Sequence, residues 1–250
     1  VEPGNVLEVA GLGKAFGAKR AVTELSFAVA PGEILGLVGP NGAGKTTTLR
    51  CIAGILPPTS GAVRILGHDL ASDPVAAKRA LAFVPDEPRL FEYLTAGEHL
   101  QLVSRLYGVD GGAAKAQALL QELGLADRQG SLPGELSRGM RQKLVVACGF
   151  LHQPALILLD EPLTGLDPLA IRQMKEALRA RAAAGAALVL SSHLLPLVEE
   201  LCHRVLILAD GRCASLGTLD EIRGRLAHGG GSLEDLFLRI TSPEAAGGPA

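Results

Sequence analysis

Near the N-terminus the apolar positions fall in short runs separated by glycine or Pro-Gly, and the runs at 6–9, 25–29 and 34–38 are β-prone. They read as strands, with Pro31-Gly32 the clearest turn between them. The run 34–38 leads into a glycine loop, after which 46–53 reads as a helix stopped by Gly54 and Pro57-Pro58. From about 86 to 153 the spacing becomes helical: Leu100, Val103, Leu106 and Tyr107 fall on one face, Leu119, Leu120 and Leu123 on another. An inserted helical subdomain is expected there. The run 155–159 is too short for a helix and has no polar alternation, which is the pattern of a central parallel strand buried on both faces; it ends in Asp160-Glu161. Pro168 opens a helix to about Ala184, with Arg172, Lys175, Glu176, Arg179 and Arg181 on a solvated face. Residues 187–190 read as another buried strand, leading to Ser191-Ser192-His193. A hairpin over 205–209 and 213–216 about Asp210-Gly211 and a helix near 219–226 follow, and 229–231 and 242–250 read as flexible.

The 250 residues exceed one typical domain of about 100–150 but are few for two, so a single large core with an inserted subdomain is expected. With 24 Lys and Arg against 26 Asp and Glu, the chain lacks the basic excess of a nucleic-acid binder, and nucleic acid is not expected as a partner. Although 48% of residues are hydrophobic, no stretch of about 18 apolar residues is free of charge, proline or histidine, so no membrane span is expected. With 6 Phe, 2 Tyr and no Trp, the core must be aliphatic. Cys51, Cys148, Cys202 and Cys213 have no metal-ligand or CxxC spacing and read as small buried hydrophobes, in keeping with a reducing compartment. The N-terminus has no signal pattern, while the missing Met reads as a processed or trimmed start and leaves a cleaved leader open.

Gly39-Pro40-Asn41-Gly42-Ala43-Gly44-Lys45-Thr46 matches G-x-x-x-x-G-K-[ST] between an expected strand and an expected helix, the context that phosphate binding requires. Glycines let the backbone wrap a phosphate, whose charge is met by successive N–H groups and the positive end of the helix. Lys45 is placed to reach β- and γ-phosphates, Thr47 continues the cradle, and the Thr46 hydroxyl is a candidate Mg²⁺ ligand. Asp160, at a neighbouring strand end, is the carboxylate expected to complete the magnesium shell. Glu161, one residue further, is either a solvated strand-end acid or the group that orients and deprotonates water for attack on the γ-phosphate. His193 alone reads as an ordinary surface or core histidine; its meaning comes from the set.

That loop, the stretch 156–162 ending Asp160-Glu161-Pro162, Leu163-Thr164-Gly165-Leu166-Asp167 and Ser191-Ser192-His193 occur in an order that resembles the nucleotide-binding subunit of an ATP-binding-cassette transporter, over roughly residues 6–240. The resemblance implies an α/β fold: a P-loop NTPase core of RecA-like type with an N-terminal antiparallel β subdomain and an inserted α-helical subdomain. One domain would span 1–240, with core 1–85 and 154–228, insertion about 86–153 and a flexible tail 241–250. Leu136-Ser137-Arg138-Gly139-Met140-Arg141-Gln142 occupies the place of the family signature LSGGQ. There Ser137 and Gly139 match, whereas Arg138 and Met140 replace a glycine and a glutamine. Read without the family, Ser137 is a helix N-cap. Phe16 matches the aromatic that stacks on adenine, the alternative being a packed core phenylalanine. Asp86 falls where the family has a glutamine linking the magnesium site to the membrane partner, and is carried over as a metal-site residue. Asp167 matches the inter-subunit loop carboxylate, and His193 the switch histidine that contacts the γ-phosphate.

The implied activity is ATP hydrolysis with Mg²⁺, each ATP held between the glycine loop of one copy and the signature of the other, in a homodimer or a pseudo-symmetric dimer of cassettes. The implied partner is a membrane permease, touched by 86–100, and the implied location is peripheral, on the cytoplasmic face of the cell membrane. Residues 84–88, 136–143 and 232–238 look like bacterial export-type cassettes, for drugs, lipids or other hydrophobic cargo. An importer ATPase, a soluble ATP-driven switch and a P-loop kinase are the competing readings.

Overall fold

Where a strand lies decides how its residues alternate. Buried and open positions largely alternate in β1 (Leu7–Phe16) and β2 (Lys19–Val29), whereas β3 (Ile34–Val38) is buried throughout. The computed structural model describes residues 4–225 and 233–241. After β3 come α1 (Lys45–Ile52), β4 (Ser60–Ile65), β5 (His68–Asp69), α2 (Pro74–Arg79) and β6 (Leu81–Val84). The insertion is built of α3 (Ala96–Tyr107), α4 (Gly112–Glu122) and α5 (Arg138–Phe150). The chain returns to the core through β7 (Leu156–Asp160), α6 (Pro168–Ala183), β8 (Ala187–Ser191), α7 (Leu195–Leu201) and the hairpin β9 (Arg204–Ala209) and β10 (Arg212–Gly217). The helices α8 (Leu219–Arg225) and α9 (Leu233–Thr241) follow.

The antiparallel sheet has the order β2-β1-β4-β5 and the larger one β10-β9-β3-β8-β7-β6, parallel except for β10. Alternate residues of the central strands feed different cores. Leu156, Leu158, Ala187 and Val189 pack with Leu7, Leu12 and Leu25 of the antiparallel sheet, whereas Ile157, Leu159, Leu188 and Leu190 pack with Leu100, Leu120, Leu144 and Met174 of the helices. Burial on both faces is therefore the reason these strands read as unbroken apolar runs. The strands end together, and the loops at their carboxyl ends form the site.

Several expectations change. β1 and β2 run further than 6–9 and 25–29, because register shifts between Val9 and Lys14, with Gly11 at φ 60°, let β1 bulge and continue pairing. The elements β4, β5, β6 and α2 go beyond what the pattern predicts; β5 has only 2 residues and β6 only 4, too short to show a period. The helical insertion begins at α3, and the expected stripe on it is half right: Leu100 is buried, but Leu106 is 76% and Tyr107 39% exposed. These last residues precede the Gly108 C-cap, and Tyr107 stacks on His152 with ring centroids 3.9 Å apart instead of entering the core.

The cysteines also divide. Cys51 is buried, and burial pushes the half-buried Cys148 and Cys202 thiols up to about 12, so both stay protonated. Cys213 is exposed, because it sits on the edge strand β10. Nor is the charged face of α6 wholly solvated. Arg172, Glu176 and Arg179 are exposed, but the half-buried Arg181 forms a bidentate pair with Glu122 of α4 at 2.9 and 2.7 Å, over the Phe150 ring. That contact ties the insertion to the core, and its forked geometry makes it stronger than an exposed pair. The glycines at 229–231 and the tail from 242 lie outside the described residues. Among the described residues no helix is long and apolar enough to cross a membrane.

Candidate functional site

Strand β3 delivers the chain into Gly39, and helix α1 leaves from Lys45. The loop between them needs its glycines. Gly42 and Gly44 have φ of 84° and 103°, in the left-handed region, and a Cβ on Gly44 would stand 2.5 Å from the Ala21 carbonyl oxygen. A Cβ on Gly39 would stand 2.6 Å from the Leu208 carbonyl oxygen. Pro40, Asn41 and Gly42 form the open rim, Ala43 is buried beneath them, and Thr47 is half-buried on the first turn of α1. Lys45 is 8% exposed, and its ammonium donates to the Gly39 carbonyl at 2.6 Å and the Pro40 carbonyl at 3.2 Å. Desolvation lowers the Lys45 pKa, with Glu161 and Asp160 opposing it by charge. A cation is thus held inside the loop mouth, facing two carboxylates.

Next to it, Asp160 closes β7 and is 2% exposed. Its Oδ1 accepts the Thr46 hydroxyl at 3.2 Å and the Ser191 hydroxyl at 2.6 Å, which joins α1, β7 and β8 at one oxygen. Glu161 then turns sharply, with φ 49°, a conformation that non-glycine residues rarely adopt and that is found at functional sites. Its Oε2 accepts His193 Nδ1 at 2.7 Å and Thr164 Oγ1 at 3.4 Å, while Oε1 makes no hydrogen bond among the described residues. His193 Nδ1 is thus paired with Glu161 while the ring stays half exposed.

The other sequence candidates lie at the N-termini of α5 and α6 or at the end of β1. Ser137 caps α5 by accepting the Met140 N–H at 3.2 Å, and a Cβ on Gly139 would meet Leu166 at 3.2 Å. Asp167 caps α6, accepting the Ala170 N–H at 2.8 Å. Phe16 is 49% exposed at the end of β1 with Lys14 Nζ 5.0 Å above its ring, so it is not a core phenylalanine.

The Asp86 carboxylate lies 3.6 Å from Arg138 Nη2 and makes no hydrogen bond to Thr46 or Asp160. Two departures from the family pattern, Arg138 in the signature and Asp86 at the position of the family's glutamine, thus meet each other. Both side chains are more than half exposed, so water screens the pair and its worth is at most about 1 kcal/mol. Three further site residues carry no role that their sequence context alone assigns. Ser191 and Thr164 stand inside the motifs without a chemistry of their own, and the buried Gln142 on α5 donates to the Pro85 carbonyl at 3.4 Å. A serine at the end of a buried apolar strand is the available signal for Ser191.

The matched family is described as ABC transporter and covers residues 22–164. The chain belongs to the ATP-binding-cassette transporter family. It is 35% identical over 243 residues to the ABC-type transporter ATP-binding protein EcsA of Bacillus subtilis, covering 96% of this chain and 98% of that protein. To the daunorubicin/doxorubicin resistance ATP-binding protein DrrA of Streptomyces peucetius it is 35% identical over 227 residues, covering 90% of this chain and 69% of that protein. Other relatives are far longer: the chain spans 11% of the rat ATP-binding cassette sub-family A member 7. A solved structure of the ATP-binding subunit of an ABC transporter superposes with a TM-score of 0.89 at 39% identity, covering 94% of this chain and 99% of that one. The cassette fold and its role as the ATP-hydrolysing subunit of a transporter are thereby established for this chain.

The donor set fits one kind of metal use. Among the described residues no group of three or more His, Cys, Asp or Glu is arranged to hold an ion. Thr46 and Asp160 offer hard oxygens side by side, which suits a magnesium ion bound by a few protein oxygens together with substrate phosphates.

Proposed function

We propose that this cassette binds Mg-ATP in the loop 39–47 and hydrolyses it with Glu161 as the base. The observation that carries this reading is the single oxygen of Asp160 shared by Thr46 and Ser191, beside a Glu161 whose other partner is His193. Magnesium, held by Thr46 Oγ1 and Asp160, would neutralise charge growing on the β- and γ-phosphates. Lys45 presents its ammonium to the same phosphates, and loop N–H groups at the start of α1 hold their oxygens. Glu161 Oε1, without a hydrogen bond among the described residues, accepts a proton from the attacking water, while His193 steadies Oε2.

In this reading Ser137, Gly139 and Asp167 of one copy complete the ATP site of another, and the base stacks on Phe16. Closure of two cassettes, identical or pseudo-symmetric, drives a separate membrane permease at the cytoplasmic face of the membrane, because ATP binds the closed state better than the open one. The drug-resistance name of the Streptomyces peucetius relative supports export of a drug, lipid or other hydrophobic cargo.

The test is phosphate release from ATP without any acceptor. Release is expected with Mg²⁺, to stop with EDTA and to return when Mg²⁺ is added back. Phosphate appearing only on an added acceptor would instead establish a kinase, and release indifferent to EDTA would remove Thr46 and Asp160 from the metal role.

A further inference from the structure

Ser191 is the last residue of β8, fully buried, and paired in register with Asp160 across the parallel β7–β8 ladder. Its hydroxyl has one proton, and that proton goes to Asp160 Oδ1 at 2.6 Å. The remaining lone pairs face the Glu161 N–H at 3.1 Å, and the Ser191 carbonyl takes the same N–H at 3.2 Å. One side chain therefore grips both acids of the site: the carboxylate of Asp160 and the main chain of Glu161, at the point where φ is 49°. With Thr46 also on Oδ1, the carboxylate plane of Asp160 is fixed and its Oδ2 makes no hydrogen bond among the described residues.

We infer that Ser191 is a positioning residue for hydrolysis, holding Asp160 in the orientation that serves magnesium and fixing Glu161 at its working distance from it. This rests on the assignments of Asp160 and Glu161 made under Proposed function. Ser192 and His193 have no part in this grip, since Ser192 Oγ accepts the Leu194 N–H at 3.0 Å and His193 reaches only the Glu161 side chain.

The experiment compares Ser191→Ala, which removes only the hydroxyl, with Ser191→Thr, which restores it. Two readouts are taken on protein whose melting temperature is recorded. In a Glu161→Gln background, the Mg²⁺ concentration for half-maximal ATP binding is expected to rise about 10-fold or more in Ser191→Ala, the size of effect seen when the support of a metal ligand is lost. ATP binding in EDTA is expected to be unchanged. With Glu161 intact, Ser191→Ala is expected to lower kcat about 10- to 100-fold with KM for ATP little changed, and Ser191→Thr to recover most of it. A Ser191→Ala protein that melts lower but keeps its Mg²⁺ requirement and kcat would overturn the inference and leave Ser191 a packing residue. If Asp160→Asn also leaves the Mg²⁺ requirement unchanged, the failure belongs to the metal assignment itself.

Discussion

Glu161→Gln is expected to lower kcat for ATP hydrolysis by about 10²–10⁴-fold, the range that a positioned general base contributes. The amide keeps the volume of the carboxyl and still accepts His193 Nδ1, so the fold and the loop 39–47 are left intact. What is lost is the proton-accepting oxygen, and with it the removal of the water proton. ATP affinity is expected to stay within a few-fold of the parent, and in the proposed cycle the ATP-bound dimer accumulates because it no longer resets. Steady-state turnover and filter binding of labelled ATP measure the two separately. Unchanged hydrolysis would return Glu161 to the role of a strand-end acid.

Lys45→Ala is expected to weaken ATP binding itself, by about 10- to 100-fold, as losing a hydrogen bond to a charged group does. The fold should tolerate the change. Burial already penalises the Lys45 charge more than Asp160 and Glu161 repay it, since the net effect is a lowered pKa. Removing the ammonium therefore removes a poorly solvated cation along with two bonds to loop carbonyls. A melting temperature near that of the parent together with lost binding is the expected pair of results. Tight ATP binding by Lys45→Ala would contradict the phosphate-cradle assignment.

Much of the fold is legible because of where its strands lie. β3, β7 and β8 are buried on both faces, and such strands announce themselves as unbroken apolar runs between turns. The elements that the pattern misses have weak local signals. β5 is 2 residues long, β6 is 4, and β1 passes through Gly11 and Gly13 only because bulges let the ladder continue. Leu106 and Tyr107 show the limit of periodicity: the stripe is helical, but which part of it meets a neighbour is a tertiary fact.

The site divides in the same way. Lys45, Thr46, Asp160, Glu161 and His193 stand in motifs whose spacing is chemistry, and the structure brings them to one end of the sheet. The Ser191 to Asp160 bond depends on β7 and β8 being neighbours in register, which no local pattern encodes. The meeting of Asp86 with Arg138 is also a product of folding, and it sets the Asp86 carboxylate against the N-terminus of α5. Likewise, the left-handed backbone of Glu161 has no signature in the residue itself.

The claim on which the transport reading depends is that two copies share each nucleotide, and it can be tested by mixing two inactive variants. Both carry Glu161→Gln. One adds Lys45→Ala, which spoils its own loop; the other adds Ser137→Asp, which keeps a good N-cap on α5 but sets a carboxylate against a phosphate. Sedimentation of the equimolar mixture with Mg-ATP is expected to show dimer, because the sound loop of one copy meets the sound Ser137 of the other, while neither variant alone dimerises. If Glu161→Gln alone forms an ATP-dependent dimer and the mixture does not, loop and signature are not joined between copies and the account is contradicted.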